Sequence, residues 1–393
     1  MELTADEKEM LRGKHGNAVR KSMEILQALG EIYGAKRMVD VASVQIAGVS
    51  YDNLGEAGLE FLDDMAKDGR VKVLTTLNPA GMDLENWQTL GIDPEFAKNQ
   101  GRVIDAFTKM GVIATCTCTP YLIGNVPHYG EHIAWSESSA VCYANSVLAA
   151  RTNREGGPSA LAAALTGKTP EYGLHLDQNR EAEVHVKVQA ALEGTHTFSA
   201  LGKVIGDKIK SKIPLITGVE KASVEELKAL CASIATYGGT ALFHMKGITP
   251  EAQQTPTPSQ AVDVTDADVE KAIKELTDEA ADVDFVSIGC PHCSIKEIGK
   301  IAELLKGKKV KKEVWITTAR PTKRIADQTG YTKTIEDAGV KFACDTCCVV
   351  APIKGRFKTL CTDSAKGCFY ARAKNKFQTR LESLEDCIAE ALR

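Results

Sequence analysis

Three clusters of cysteine, each lying just past a short apolar run, constrain this chain more than any other feature of its sequence. Thr115-Cys-Thr-Cys-Thr-Pro120 follows Val112-Ile-Ala114, Gly289-Cys-Pro-His-Cys-Ser294 follows Val283–Ile288, and Cys344-Asp-Thr-Cys-Cys348 follows Val340–Ala343. Short apolar runs bounded by turn residues read as buried strands. In open parallel sheets, ligands collect beyond the carboxyl ends of the strands. Three thiols carried on three such ends can converge on one point.

The setting of the thiols separates metal binding from disulfides. The chain carries 12 cysteines in 393 residues, and its opening Met1–Lys8 offers neither a basic n-region nor an apolar h-region. Without an export signal the thiols are expected to stay reduced in the cytoplasm, where clustered cysteines bind metal or do chemistry. A net charge of −4 leaves no footprint for nucleic acid. No apolar run reaches the length of a membrane span.

Helical and extended patterns alternate, which predicts an α/β architecture with small, mostly parallel sheets. Helices are expected over 4–34, 94–110, 136–150, 158–166, 224–237, 266–281 and 294–306. Strands are expected over 37–48, 71–76, 111–115, 213–217, 240–245, 283–288, 313–317 and 340–344. Thr4 with Glu7 forms a capping-box pattern, and Thr265 with Asp266 supplies another cap. Residues 249–265, with three prolines, read as a linker or long loop. Three regions follow: 1–202 with the first cysteine cluster and polar loops, 203–265 as a small αβ unit and linker, and 266–393 with the other two clusters.

Spacing alone leaves the metal open. Cys290-x-x-Cys293 and Cys344-x-x-Cys347 could close a zinc site. An iron–sulfur cluster also takes thiolates, and one held by only three cysteines keeps an iron free to act as a Lewis acid. Buried thiols that bind nothing are the third possibility, the reading that fits Cys142, Cys231 and Cys387 within helical patterns. Polar residues at a helix end, Asn145, Arg151, Asn153 and Arg154, could clamp a carboxylate or phosphate. Ser364 and Lys366 could face the same small anionic substrate from a loop. Asn78, Met82 and Asp83 follow a strand and carry a weaker signal, while His128 and His132 sit in a loop.

Several segments resemble the aconitase X family, in particular its large catalytic subunit. They are Thr117-Cys-Thr-Pro-Tyr121, Glu131-His-Ile-Ala-Trp-Ser-Glu-Ser-Ser139, Ala144-Asn-Ser-Val147 through Arg151-Thr-Asn-Arg-Glu-Gly-Gly-Pro158, and Ala164-Leu-Thr-Gly-Lys-Thr-Pro-Glu-Tyr-Gly173. Ile288-Gly-Cys-Pro-His-Cys-Ser294, Asp345-Thr-Cys347 and Asp363-Ser-Ala-Lys366 complete the set, in family order along nearly the whole chain. The resemblance implies an aconitase-like, multi-domain α/β fold around a central iron–sulfur site, and hydro-lyase chemistry. It selects Cys118, Cys290 and Cys347 as cluster ligands, with [4Fe-4S] and one open iron expected. It makes Asn145, Arg151, Asn153, Arg154, Ser364 and Lys366 substrate contacts. Two family activities are known, dehydration of 5-phosphomevalonate and of cis-3-hydroxy-L-proline, and the compact length favours the first. The end at Arg393 implies a separate small swivel-domain subunit, whose serine is expected to act as the base. The other readings are a zinc-dependent enzyme and a scaffold with structural cysteines.

Overall fold

The computed structural model describes residues 1–278 and 282–393. The first region builds α1 (Ala5–Leu11), α2 (Asn17–Ile32), α3 (Tyr51–Met65), α4 (Pro94–Lys109), α5 (Ser138–Ser146) and α6 (Gly157–Thr166) around β1 (Met38–Asp40), β2 (Ser43–Ile46), β3 (Leu74–Leu77), β4 (Ala134–Trp135) and β5 (Lys168–Pro170). Strands β3-β2-β4 form a parallel sheet in which Val44 faces both Thr75 and Ala134, and β1 pairs antiparallel with β5. Helix α6, GPSALAAALT, is apolar on every side, and its alanines let it lie close against β2 and α2. The capping box of Thr4 with Glu7 is formed.

The second region is a parallel sheet in the order β8-β7-β6-β9, from β6 (Val184–Val188), β7 (Pro214–Thr217), β8 (His244–Met245) and β9 (Ala261–Val264). Helices α7 (Gly194–Ile209), α8 (Val224–Gly238) and α9 (Asp266–Glu275) cover it. Helices α7 and α8 cross so closely that a Cβ on Gly206 would lie 2.6 Å from the Gly238 nitrogen.

The third region is a parallel sheet in the order β12-β11-β10-β13-β14, from β10 (Phe285–Ile288), β11 (Glu313–Thr318), β12 (Lys341–Cys344), β13 (Thr359–Thr362) and β14 (Gln378–Leu381). Its helices are α10 (Ile295–Leu305), α11 (Arg320–Gln328), α12 (Tyr331–Asp337), α13 (Ala365–Tyr370) and α14 (Leu384–Leu392). The chain winds outward from β10 through β11 to β12, then restarts on the other side at β13. That places the topological switch point between β10 and β13, where such sheets bind ligands.

Several boundaries differ from the sequence reading. The run 37–48 splits into β1 and β2, which join different sheets. Residues 111–115 contribute only a bridge from Ile113 to Thr76. The expected linker supplies β9, which pairs with β6, and the boundary at 202/203 falls inside α7. Strand β6 pairs with β9 and helix α9 packs in the same core, so the second region starts before 184 and runs through 275. The predicted helix 266–281 is seen as Asp266–Glu275, and its last three residues lie outside the described ones. No helix among the described residues is long and apolar enough to cross a membrane.

Apolar clusters run across the regions. One joins α5 and Trp135 to α7, α8 and α13, and another joins Met82, Leu90 and Ala97 to Phe285, Trp315 and Leu360. A polar joint reinforces the second. Arg320 bonds Asp83 at 2.6 Å and also Asp345, while Asp83 accepts the Cys344 amide at 2.9 Å. Asp83 and Met82 therefore dock the first region onto the third.

Candidate active site

The twelve cysteines sort themselves by surroundings. Nine of them (Cys116, Cys142, Cys231, Cys293, Cys344, Cys348, Cys361, Cys368 and Cys387) sit inside apolar clusters. Cys118, Cys290 and Cys347 belong to none of these clusters. Cys118 and Cys347 are buried and Cys290 half-buried, and their place outside the apolar clusters sets the three apart from the core thiols.

The three are delivered as the topology dictates. Cys290 follows β10, Cys347 follows β12, and Cys118 lies on the segment whose Thr117 amide bonds the Leu77 carbonyl at the end of β3. Sharp backbone turns lie next to them: Cys116 has φ 42° and Asp345 φ 63°, in the left-handed region that non-glycine residues rarely adopt. Burial pushes all three thiols up, Cys290 to about 12, and each also feels a charged or ionisable neighbour in the same set. Charge on Cys347 opposes charge on Cys118 and on Cys290. Backbone amides aim at two of the sulfurs. The His292 amide donates to Cys118 Sγ at 3.2 Å, and the amides of Val349 and Val350 favour the Cys347 thiolate.

The first and third regions meet here through a buried ion pair. Glu137 caps α5 by accepting the Ala140 amide at 2.7 Å, and Lys366, in the first turn of α13, reaches it at 2.5 Å and Ser139 Oγ at 2.9 Å. Burial alone would raise Glu137, but Lys366 and the α5 amides outweigh it and hold it below the usual carboxylate range. Burial would lower Lys366, but Glu137 and Cys290 outweigh it and hold it high. Ser364 caps α13 by accepting the Gly367 amide at 3.0 Å, and its hydroxyl favours the Cys290 thiolate.

The structure thus brings Ser364 and Lys366 to the thiols. It does not bring the other expected contacts with them. Asn145 is fully buried; its amide group donates to the carbonyls of Thr152 and Ala241 and accepts from Thr152 and Arg180, so it braces the backbone. Asn153 bonds the Tyr172 carbonyl and the Leu174 amide. Arg151 bonds Asp177 at 2.9 Å, the Ala149 carbonyl at 2.7 Å and Glu251 at 2.9 Å, inside a separate cluster with His132 and His175. Arg154 is different: it is exposed and forms no ion pair or hydrogen bond among the described residues, beside Glu155, whose amide bonds the last residue of β4. Sequence reasoning missed Glu137, His292 and Lys228. His292 sat in plain view, between two cysteines.

The zinc reading does not fit. Cys293 and Cys344 are packed in the apolar core of the third region, while Cys290 and Cys347 are outside it. Among the described residues, no three His, Cys, Asp or Glu side chains close on a point where one ion would sit. A multi-iron cluster takes one thiolate per iron and so asks for more widely spaced thiols. The surroundings fit such a group. The hydroxyls of Tyr121, Thr346 and Thr362 are buried with no protein partner, on the cysteine-bearing loops and the end of β13.

Comparison with known proteins identifies relatives along the whole chain. The family models for the first, second and third domains of aconitase X match residues 1–178, 182–274 and 283–393. The chain is 49% identical over 373 residues to the phosphomevalonate dehydratase large subunit of Methanothermobacter thermautotrophicus, covering 94% of this chain and 93% of that one. It is 46% identical over 400 residues to the subunit of the same name from Methanocaldococcus jannaschii, with 99% of each covered. It is 33% identical to the cis-3-hydroxy-L-proline dehydratase of Hypocrea jecorina, covering 100% of this chain and 68% of that one. The crystal structure of Thermococcus kodakaraensis aconitase X (holo-form) superposes with a TM-score of 0.94 at 46% identity, covering all of both chains.

Proposed function

The chain belongs to the aconitase X family, and on that premise we propose that it is the large subunit of a dehydratase converting (R)-5-phosphomevalonate to trans-anhydromevalonate 5-phosphate. Identity of 45–49% to four phosphomevalonate dehydratase large subunits and 32% to a fifth, each matched over 93% or more of its length, supports that substrate over the cyclic one, whose two dehydratases are 33% identical and matched over 68–70% of theirs. We assign the product to a modified mevalonate route.

Cys118, Cys290 and Cys347 would hold an iron–sulfur cluster of the [4Fe-4S] type with one iron left open. The observation that carries this is their separation from the nine core thiols. When bound, the cluster supplies a Lewis acid that helps the tertiary hydroxyl leave. The other steps belong to protein side chains. Lys366, charged and held by Glu137, faces Cys290 and orients an anionic group of the substrate there. We assign the phosphate to Arg154, which is exposed and unpaired among the described residues and whose guanidinium could take it bidentately. The proton next to the carboxylate is removed by a base on the small subunit, whose existence the names of the relatives imply. We assign that base to a serine on a swivel domain.

The test is anaerobic reconstitution with iron and sulfide, followed by assay with the small subunit added. Dehydration of phosphomevalonate, lost with the cluster in Cys290→Ala, is the expected result. Turnover of cis-3-hydroxy-L-proline alone would reassign the substrate, and full activity in Cys290→Ala would remove the cluster assignment.

A further inference from the structure

His292 lies between two cysteines, and its atoms reach all three thiol-bearing loops. It is fully buried. Its backbone amide donates to Cys118 Sγ at 3.2 Å. Its ring Nε2 lies 2.9 Å from the carbonyl of Thr346, the neighbour of Cys347, and its Nδ1 lies 3.0 Å from Oγ1 of Thr117, the neighbour of Cys118. Its own loop carries Cys290.

The hydrogen-bond inventory fixes the tautomer. A carbonyl oxygen can only accept, so Nε2 carries the proton and donates to Thr346. In the neutral ring Nδ1 then accepts, and the Thr117 hydroxyl donates to it. That hydroxyl oxygen also accepts the Thr119 amide at 3.2 Å and lies 3.1 Å from the Thr119 hydroxyl, so its remaining capacity is used. Both ring nitrogens are therefore committed, and neither is free to bind metal.

We propose that His292 is a positioning residue that clasps the three cysteine loops together, so that Cys118, Cys290 and Cys347 converge before iron arrives. This rests on the reading that those three thiols hold the cluster. The loops lie far apart in sequence, and their ordering must otherwise be charged against metal binding. A shared imidazole orders them during folding instead. The second region reinforces the clasp: Lys228 of α8 donates to the carbonyls of Pro291 at 3.3 Å and His292 at 2.8 Å.

The experiment compares His292→Ala, His292→Gln, Thr117→Val and the three single cysteine-to-alanine variants with the unaltered full chain. Three readouts apply: reaction of the metal-free thiols with a thiol reagent, iron loss from the reconstituted chain to a chelator, and the electron paramagnetic resonance spectrum of the reduced cluster. In His292→Ala, iron is expected to leave at least tenfold faster, more thiols to react in the metal-free chain, and the spectrum to change. His292→Gln keeps a donor for Thr346 and is expected to fall between. Thr117→Val keeps its volume, loses only the hydroxyl, and decides the matter if His292→Ala does not fold. Wild-type iron retention, thiol reactivity and spectrum in both His292→Ala and Thr117→Val would overturn the clasp. If the histidine variants keep the cluster while the cysteine variants lose it, only the clasp falls. If a cysteine variant keeps the cluster, the ligand reading falls and takes the clasp with it.

Discussion

Replacing Lys228 by methionine tests how the second region supports the site. Lys228 is only 2% exposed. Its ammonium donates to Glu297 Oε2 at 2.6 Å, the His292 carbonyl at 2.8 Å and the Pro291 carbonyl at 3.3 Å. Burial would lower its pKa, but Glu297 outweighs that and holds it charged. Methionine fills the same space and donates nothing. Glu297 keeps the Ser294 amide at 2.7 Å but loses its counter-charge, and two carbonyls lose a donor. Breaking a buried pair from one side costs about 3–5 kcal/mol. The pair joins the second and third regions, residues 182–393, and for a unit of that size about 4 kcal/mol at about 2–4 °C per kcal/mol should lower the melting temperature by roughly 8–16 °C. Calorimetry of the metal-free chain measures it. The double variant Lys228→Met/Glu297→Gln removes the stranded charge and should recover at least half the loss. A fall under about 4 °C, or a double variant no better than the single one, would refute the reasoning.

Arg154→Ala should raise KM for the phosphorylated substrate roughly 10–100-fold, the worth of one charge-assisted contact, with kcat and melting temperature little changed; an unchanged KM in steady-state kinetics would remove Arg154 from the site. Asn145→Ala should act the opposite way, costing about 2–4 kcal/mol in urea unfolding because four backbone and side-chain bonds go with it, with KM unmoved. Burial and the neighbouring His132 hold His175 down at about 3, so the unfolded chain takes up a proton as pH falls below about 6.5 and the folded one does not. That group's contribution is complete above pH 6.5 and is lost on acidification. Between pH 6.5 and 5 it should take away about 2 kcal/mol, a loss that His175→Gln should remove from a melting-temperature-against-pH curve.

What the sequence disclosed and what it hid follow from the range of the interactions involved. Part of the third sheet was legible because β10, β11 and β12 are short apolar runs separated by strongly periodic helices, and apolar period is a local property, whereas β6, β13 and β14 went unread. β9 was hidden among prolines: a strand of AVDV at an exposed sheet edge looks like linker until β6 pairs with it. The cysteine clusters were legible as clusters, yet their spacing could not sort Cys290 from Cys293, since that depends on which side of the sheet each thiol packs. The same limit explains Asn145, Arg151 and Asn153. A polar residue at a helix end can face a ligand or brace a loop, and only the long-range partners, Arg180, Ala241 and Glu251, decide. Arg154, in the same stretch, has no such partner among the described residues.

The Glu137–Lys366 pair determines what charge the site presents. The two groups are pushed in opposite directions, Glu137 down and Lys366 up, so both stay ionised near neutral pH and the pair carries no net charge. Spare positive charge for a phosphate must then come from elsewhere, and Arg154 is the exposed guanidinium beside β4. Lys366 serves a different end: a fixed cation beside Cys290 that points in one direction because Glu137 and Ser139 hold it. Glu137→Gln separates charge from position. The amide still accepts from Lys366, but burial, no longer opposed by a carboxylate, lowers the lysine's pKa. Wild-type kcat/KM should show no alkaline limb from this lysine, whereas the variant should gain one below about pH 10, the ordinary lysine value. Iron content should be unchanged. A variant profile that superposes on the wild type's would mean that Lys366 owes its charge to something other than Glu137, and that the site's electrostatics are not set by this pair.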